Sequence, residues 1–404
     1  MSIKFAEVAE RVQSSAIREL LKLSTSPEVI SFAGGLPDPS LFPTKELKEI
    51  CSLLLDSKWS AKTLQYGPTQ GLPEVLETLA LWLTHKEGLL ISPDYECIVT
   101  TSSQQALSLI GQIFINPDDI VMCGLPTYLG ALQAFQSVGA KLIGIPLKDD
   151  GWDMEYLKEK LKRVPTQKVK LFYVVPDFQN PSGIQWSFEK RKQLLKLAEK
   201  YNVIIVEDAP YRWISDNLPP PTIKSLDTTN QRVIFLFTFS KILAPALRLA
   251  LVVAPQKIIE KLIILKQAAD LCTSSFTQLL TAKFIEFYNL DLHIQVLSEA
   301  YAHKRLAMLT QLEEEFGDIS SVKWTKPQGG LFLFLTLPEK IDAQEMLIVA
   351  SKRKVVYVPG KNFFCDPRIG HNTLRLNFSY PSIEQIKQGI TILAQVIREF
   401  LKSK

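Results

Sequence analysis

From Cys97 onward, short runs of consecutive apolar residues alternate with longer segments whose apolar positions recur every three or four residues. The runs at 97–100, 120–123, 141–145, 169–175, 203–206, 233–237 and 249–253 have strand length and few polar interruptions. Strands covered on both faces read this way. The segments 104–114, 128–138, 154–163 and 188–200 carry helical spacing. This alternation predicts an α/β fold: a mostly parallel, seven-stranded sheet flanked by helices on both faces.

Outside that region the pattern differs. Residues 5–23 read as an amphipathic helix, with Val8, Val12, Ile17, Leu20 and Leu21 on one broad face. The Gly/Pro-rich stretch 32–39 is a loop, and a helix follows over about 44–55. After about Asn289 a long helix runs to about residue 316. Strands at 330–337, 355–358 and 374–378 then mix with helices at 343–352 and 383–401, as in a smaller α+β domain. The expected division is a large domain at 45–288. Residues 1–44 and 289–404 form a small domain with the N-terminal segment.

With 404 residues, 46% of them hydrophobic, the chain can bury a large core. Its net charge is +4, from 46 basic and 42 acidic residues, and no dense Lys/Arg stripe stands out. A nucleic-acid-binding role is not expected. The five cysteines are scattered without a Cys-x-x-Cys, and there are four histidines. Neither a disulfide framework nor a metal centre is expected. Lys4, Glu7, Glu10 and Arg11 interrupt the N-terminus, which has no apolar secretory region. No apolar run reaches membrane-spanning length. A cytoplasmic location follows as the expectation.

Candidate chemistry gathers just after the predicted strands, where open α/β sheets bind ligands. After 233–237 comes Thr238-Phe239-Ser240-Lys241, with Arg248 seven residues beyond the lysine. A lysine amine can form a Schiff base with an aldehyde. The guanidinium and the hydroxyls of Thr238 and Ser240 suit a phosphate. After 203–206 comes Glu207-Asp208-Ala209-Pro210-Tyr211. Asp208 can hold a pyridinium N–H, and Tyr211 can donate to a phenolic oxygen. After 169–175 comes Asn180-Pro181-Ser182-Gly183, a turn whose Asn180 can bind the same oxygen. After 97–100, Ser103 and Gln104 open a helix whose free N–H groups can cradle a phosphate. After 120–123, Tyr128 can stack on an aromatic ring. Each segment alone is equally well satisfied as a helix cap, a turn or a core aromatic. Five successive strand ends carrying the parts for one pyridine ring, one phosphate and one Schiff base point to pyridoxal 5'-phosphate (PLP).

These motifs, with 15-SAIREL-20, 30-ISFAGGLP-37, 64-LQYG-67, 126-PTYLGA-131, 178-FQNP-181 and 374-LRLNFS-379, resemble the fold-type I PLP-dependent aminotransferases. Within them the likeness is to the 2-aminoadipate, kynurenine and aromatic group, and it spans nearly the whole chain. The resemblance implies that Lys241 carries the cofactor, Asp208 pairs its ring nitrogen, and Asn180 and Tyr211 bind its phenolic oxygen. Tyr128 stacks on the ring, while Ser103, Gln104, Thr238, Ser240 and Arg248 hold the phosphate. Arg375 takes the substrate α-carboxylate, and Gly34 and Gly35 let the N-terminal segment approach the substrate closely. Tyr66 reaches the cofactor of a neighbouring subunit, so a homodimer with shared active sites is implied. Arg18 either contacts a substrate's distal carboxylate or is an ordinary solvated helix residue. In two places the chain departs from the family pattern: Ser102 stands where glycine is common, and Thr238 where serine is common.

The implied activity is ping-pong transfer of an amino group from an amino acid to a 2-oxo acid, in the first place 2-oxoglutarate. A β-lyase or decarboxylase on the same scaffold is the alternative. A regulator with an aminotransferase-like domain needs a winged-helix module, for which the motifs starting at Ser15 are expected to leave no room. A catalytically dead relative is at odds with Lys241.

Overall fold

The computed structural model describes residues 3–11 and 28–403. The predicted N-terminal helix is seen over Glu7–Arg11; its continuation, with Arg18, lies outside the described residues. In chain order the strands begin with β1 (Ile30–Ser31), β2 (Cys97–Thr100), β3 (Ile120–Leu125), β4 (Lys141–Lys148) and β5 (Gly151–Trp152). Next come β6 (Val169–Val174), β7 (Ile204–Asp208), β8 (Val233–Thr238) and β9 (Ala250–Val253). The C-terminal part adds β10 (Lys323–Trp324), β11 (Phe332–Thr336), β12 (Val355–Val356), β13 (Val358–Pro359) and β14 (Thr373–Asn377).

All seven predicted strands join one large sheet, in the order β2-β9-β8-β7-β6-β3-β4-β5. The two-residue β5 is an eighth strand that folds back antiparallel on the edge strand β4. It is too short to show a period in the sequence. The pairs β3–β4, β3–β6, β6–β7 and β7–β8 are parallel, and β9 runs against both of its neighbours. Successive residues of β6 alternate between two cores: Leu171 and Tyr173 enter the larger, Phe172 and Val174 the smaller. Strands of this kind are apolar on both faces because helices cover both.

The helices Ser103–Phe114, Leu129–Ser137, Met154–Arg163 and Phe188–Tyr201 stand where the spacing predicts them. Asp153 and Ser187 cap the last two by accepting from Tyr156 N–H and Lys190 N–H. The C-terminal part forms a four-stranded antiparallel sheet, β10-β11-β14-β13. The long helix Leu290–Phe316 and the C-terminal helix Ile383–Ser403 accompany it. The N-terminal strand β1 pairs in parallel with β12. This brings the Gly34-Gly35 loop, far away in sequence, against the C-terminal sheet. Among the described residues no helix is long and apolar enough to cross a membrane.

Candidate active site

Because β3, β6, β7 and β8 are parallel, their C-terminal ends lie along one edge of the large sheet. The antiparallel strand β9 starts at that same edge, which places Arg248 there from the opposite chain direction. Chain direction alone thus converges the polar segments that follow the strands. They line a single cavity of about 250 Å³.

Lys241 lies three residues past β8, and its Nζ donates to the Gly35 carbonyl at 2.7 Å. Burial, then the charges of Arg375 and Arg248, bring its pKa down to about 8. A lysine in that state is neutral often enough to act as nucleophile and base. The Thr238 and Ser240 hydroxyls lie 2.9 Å apart, and Thr238 donates to the Leu249 carbonyl at 3.0 Å. Arg248 ends the turn Pro245–Leu247 at φ 50, in the left-handed region.

Asp208 closes β7. One carboxylate oxygen, Oδ2, accepts from the Tyr173 hydroxyl at 2.8 Å. The other, Oδ1, is buried and has no partner among the described residues. Burial outweighs the Tyr173 bond and raises the carboxyl to about 7. Its neighbour Glu207 points to the opposite face, as strand alternation requires, and accepts from Ile223 N–H and Lys224 N–H, both at 2.8 Å. Adjacent carboxylates therefore serve separate tasks, one a structural cap and one a cavity group.

Asn180 Oδ1 accepts from Arg375 Nη1 at 2.9 Å; Tyr211 lines the same cavity, and burial pushes its hydroxyl well above its ordinary pKa. Tyr211 meets Phe332 edge to face, with ring centroids 5.7 Å apart. Gln104 donates to the Gly130 carbonyl at 2.8 Å and lies 3.5 Å from the Tyr128 hydroxyl.

Arg375 comes from β14. It pairs with Phe334 on β11, and Phe332 lies two residues away on that strand, so the side chains of Arg375 and Phe332 share one face. Its guanidinium lies over the Phe332 ring at 4.2 Å and the Phe363 ring at 5.1 Å. Its hydrogen-bond acceptors, the Asn180 amide oxygen and the Ala33 carbonyl at 2.6 Å, are both neutral. Burial pulls its pKa down to about 10. A buried cation stacked on aromatics and held by neutral partners leaves room for an anion.

Twelve of the sequence-predicted residues thus meet in one cavity: Gly35, Ser103, Gln104, Tyr128, Asn180, Asp208, Tyr211, Thr238, Ser240, Lys241, Arg248 and Arg375. Tyr66 does not join them. It is 78% exposed on the surface, away from the cavity lining. Arg18 falls outside the described residues. Tyr173 and Phe332 line the cavity without having been singled out in the sequence. The signal for Tyr173 was a lone hydroxyl in a strand that is apolar apart from Lys170. Phe332 carried none, because its role depends on pairing with a strand some forty residues away.

Three lining residues hold buried polar atoms without a partner among the described residues: Asp208 Oδ1, Ser103 Oγ and Arg375 Nε. An unsatisfied buried polar atom is costly. These three match, in turn, a ring N–H, a phosphate oxygen and a carboxylate, so the residues present fit PLP with an amino-acid substrate.

Comparison with known proteins gives the same picture. The model of the family "aminotransferase class I and II" matches residues 40–393. The aromatic-amino-acid aminotransferase 1 of Thermococcus litoralis is 45% identical over 98% of this chain and 95% of its own length. The crystal structure of Pyrococcus horikoshii kynurenine aminotransferase superposes with a TM-score of 0.92 at 45% identity, covering 98% of this chain and 97% of that one. The α-aminoadipate aminotransferase of Thermus thermophilus, solved with N-(5'-phosphopyridoxyl)-L-leucine, gives 0.90 at 34% identity, over 99% and 98%.

Proposed function

The chain belongs to the class I and II aminotransferases and is a PLP-dependent aminotransferase; on that premise we propose what each residue does and which amino acids it takes. When bound, PLP supplies an aldehyde carbon to receive the amino group and a ring to accept the electron pair left at the substrate α-carbon. Lys241 holds the cofactor. Its amine would also be the base that carries the proton at the substrate α-carbon. Asp208 offers Oδ1 to the ring nitrogen and keeps it protonated, while Tyr173 fixes the carboxylate through Oδ2. Asn180 and Tyr211 hold the phenolic oxygen, and Tyr128 covers one face of the ring. Ser103, Gln104, Thr238, Ser240 and Arg248 hold the phosphate.

Arg375 takes the α-carboxylate of the amino acid. Its burial among neutral partners is the observation that carries this part of the reading. Residues 45–288 act as the cofactor domain; residues 1–44 and 289–404 close the substrate side through Gly35, Phe332 and Arg375. The working unit is a homodimer in which Tyr66 reaches across to the partner's cofactor.

The preferred donors are aromatic amino acids, with kynurenine included and 2-aminoadipate as the alternative. Relatives at 45% identity carry aromatic and kynurenine names, and the cavity presents Tyr128, Tyr211 and Phe332 beside Arg375. A diacid needs a second cation, and Arg18 is the residue assigned to that task. The acceptor is 2-oxoglutarate. The test is a panel of phenylalanine, tyrosine, kynurenine and 2-aminoadipate against 2-oxoglutarate, read as glutamate formed. The aromatic donors are expected to lead in kcat/KM. Turnover of 2-aminoadipate alone, lost in Arg18→Ala, would reverse the assignment; product without any glutamate would refute amino transfer.

A further inference from the structure

Ser102 precedes the helix Ser103–Phe114 with φ 79 and ψ 161. That backbone region is open to glycine and costs another residue about 1–3 kcal/mol. A serine before a helix ordinarily earns its place by accepting a bond from an N–H of the first turn. Ser102 does not: no side-chain cap bond forms, and among the described residues its hydroxyl has no protein partner. The strained conformation is nevertheless firmly held. Ser102 N–H donates to the Thr100 carbonyl at 2.9 Å. The Thr100 hydroxyl donates to the Ser102 carbonyl at 3.1 Å. Thr101 N–H donates to Gln105 Oε1 at 2.8 Å. Ser102 is 5% exposed and lines the cavity beside Ser103, whose own hydroxyl is buried and unpartnered.

We propose that Ser102 is a cofactor-binding residue whose hydroxyl donates to the PLP phosphate, the contact that keeps a serine at a backbone position suited to glycine. The inference rests on the cavity being the PLP site. It says that this chain adds a side-chain donor to a cradle built from the helix N-terminus, Thr238, Ser240 and Arg248. A phosphate doubly negative near neutral pH rewards such a donor more than a neutral ligand does.

The test compares Ser102→Gly and Ser102→Ala. Cofactor-free protein is titrated with PLP and with pyridoxal, which lacks the phosphate, and its Tm is recorded without ligand. Both variants are expected to bind PLP about tenfold more weakly, a loss of ~1.4 kcal/mol. Their pyridoxal affinity stays within about twofold of wild type, a change of ~0.4 kcal/mol. Only the glycine variant gains Tm, because the alanine keeps the strained Cβ. Unchanged PLP affinity in both variants, or equal losses for PLP and pyridoxal, overturns the proposal while leaving the site assignment intact. A folded wild type that binds neither compound overturns both.

Discussion

Replacing Asp208 by asparagine exchanges one oxygen for an amide group and leaves the side-chain volume nearly unchanged. In the cofactor-free protein the carboxyl stands at about 7 against an ordinary 3.8, because burial disfavours its charge. A folded pKa above the unfolded one contributes stability below about pH 4 that is lost as pH rises through about 7. At pH 8 the ionised carboxylate therefore burdens the fold by about 4 kcal/mol, as an upper bound. Asparagine removes the charge and can still accept from Tyr173. Its amide group then faces the place of the unpartnered Oδ1, which costs about 1–3 kcal/mol. The net expectation for Asp208→Asn is a gain of about 1–3 kcal/mol at pH 8. At pH 5, where Asp208 is already neutral, no gain remains. Activity moves the other way: an amide cannot keep the ring nitrogen protonated, so kcat/KM falls by roughly 10²-fold or more. Thermal unfolding of the cofactor-free variant at both pH values, together with glutamate formation by the PLP-loaded variant, reads both effects. A variant less stable than wild type at pH 8, or one that keeps its activity, would refute the reasoning.

Capture of PLP by the cofactor-free protein is expected to quicken with pH and level off above about 8, because only the neutral Lys241 amine attacks; a stopped-flow rate flat across that range would contradict this. Arg375→Lys keeps the charge but loses the planar fork and the ring stack, so kcat/KM for amino acids should fall by roughly 10–10²-fold, with most of the change in KM. Steady-state kinetics showing a pure kcat loss would point to a different role. Asp177 is fully buried between Arg191 and Arg212, which also pairs with Glu87. Asp177→Ala leaves guanidinium charge uncompensated and should destabilise by about 3–5 kcal/mol, seen as a Tm drop of several degrees; a drop near zero would show that the network relaxes around the loss.

Much of the large sheet was legible because its strands are buried on both faces and so stand out as apolar runs. The same property made the site legible: in such strands the polar residues gather at the ends, where Asp208 closes its strand and Lys241, Asn180, Ser103 and Tyr128 follow theirs. What escaped depended on register and backbone angle. The two-residue strand Gly151–Trp152 carries no period. The reversed direction of β9 is set by its partners, not by its composition. The helices Ser57–Leu64 and Pro73–Glu87 lie in a stretch whose pattern was not assigned. Tyr173 reads as a core tyrosine until β6 is placed beside β7. The stack of Arg375 on Phe332 exists only once β11 and β14 pair. Ser102 was visible as an unexpected residue, but its significance lies in a positive φ that no sequence displays.

The central claim is that PLP is carried by Lys241. Borohydride reduction of the PLP-loaded protein, followed by proteolysis and mass spectrometry, tests it directly. The account predicts a pyridoxyl group on the peptide containing Lys241, and none in Lys241→Ala. A pyridoxyl group on another lysine, with Lys241 unmodified in an active enzyme, would contradict it.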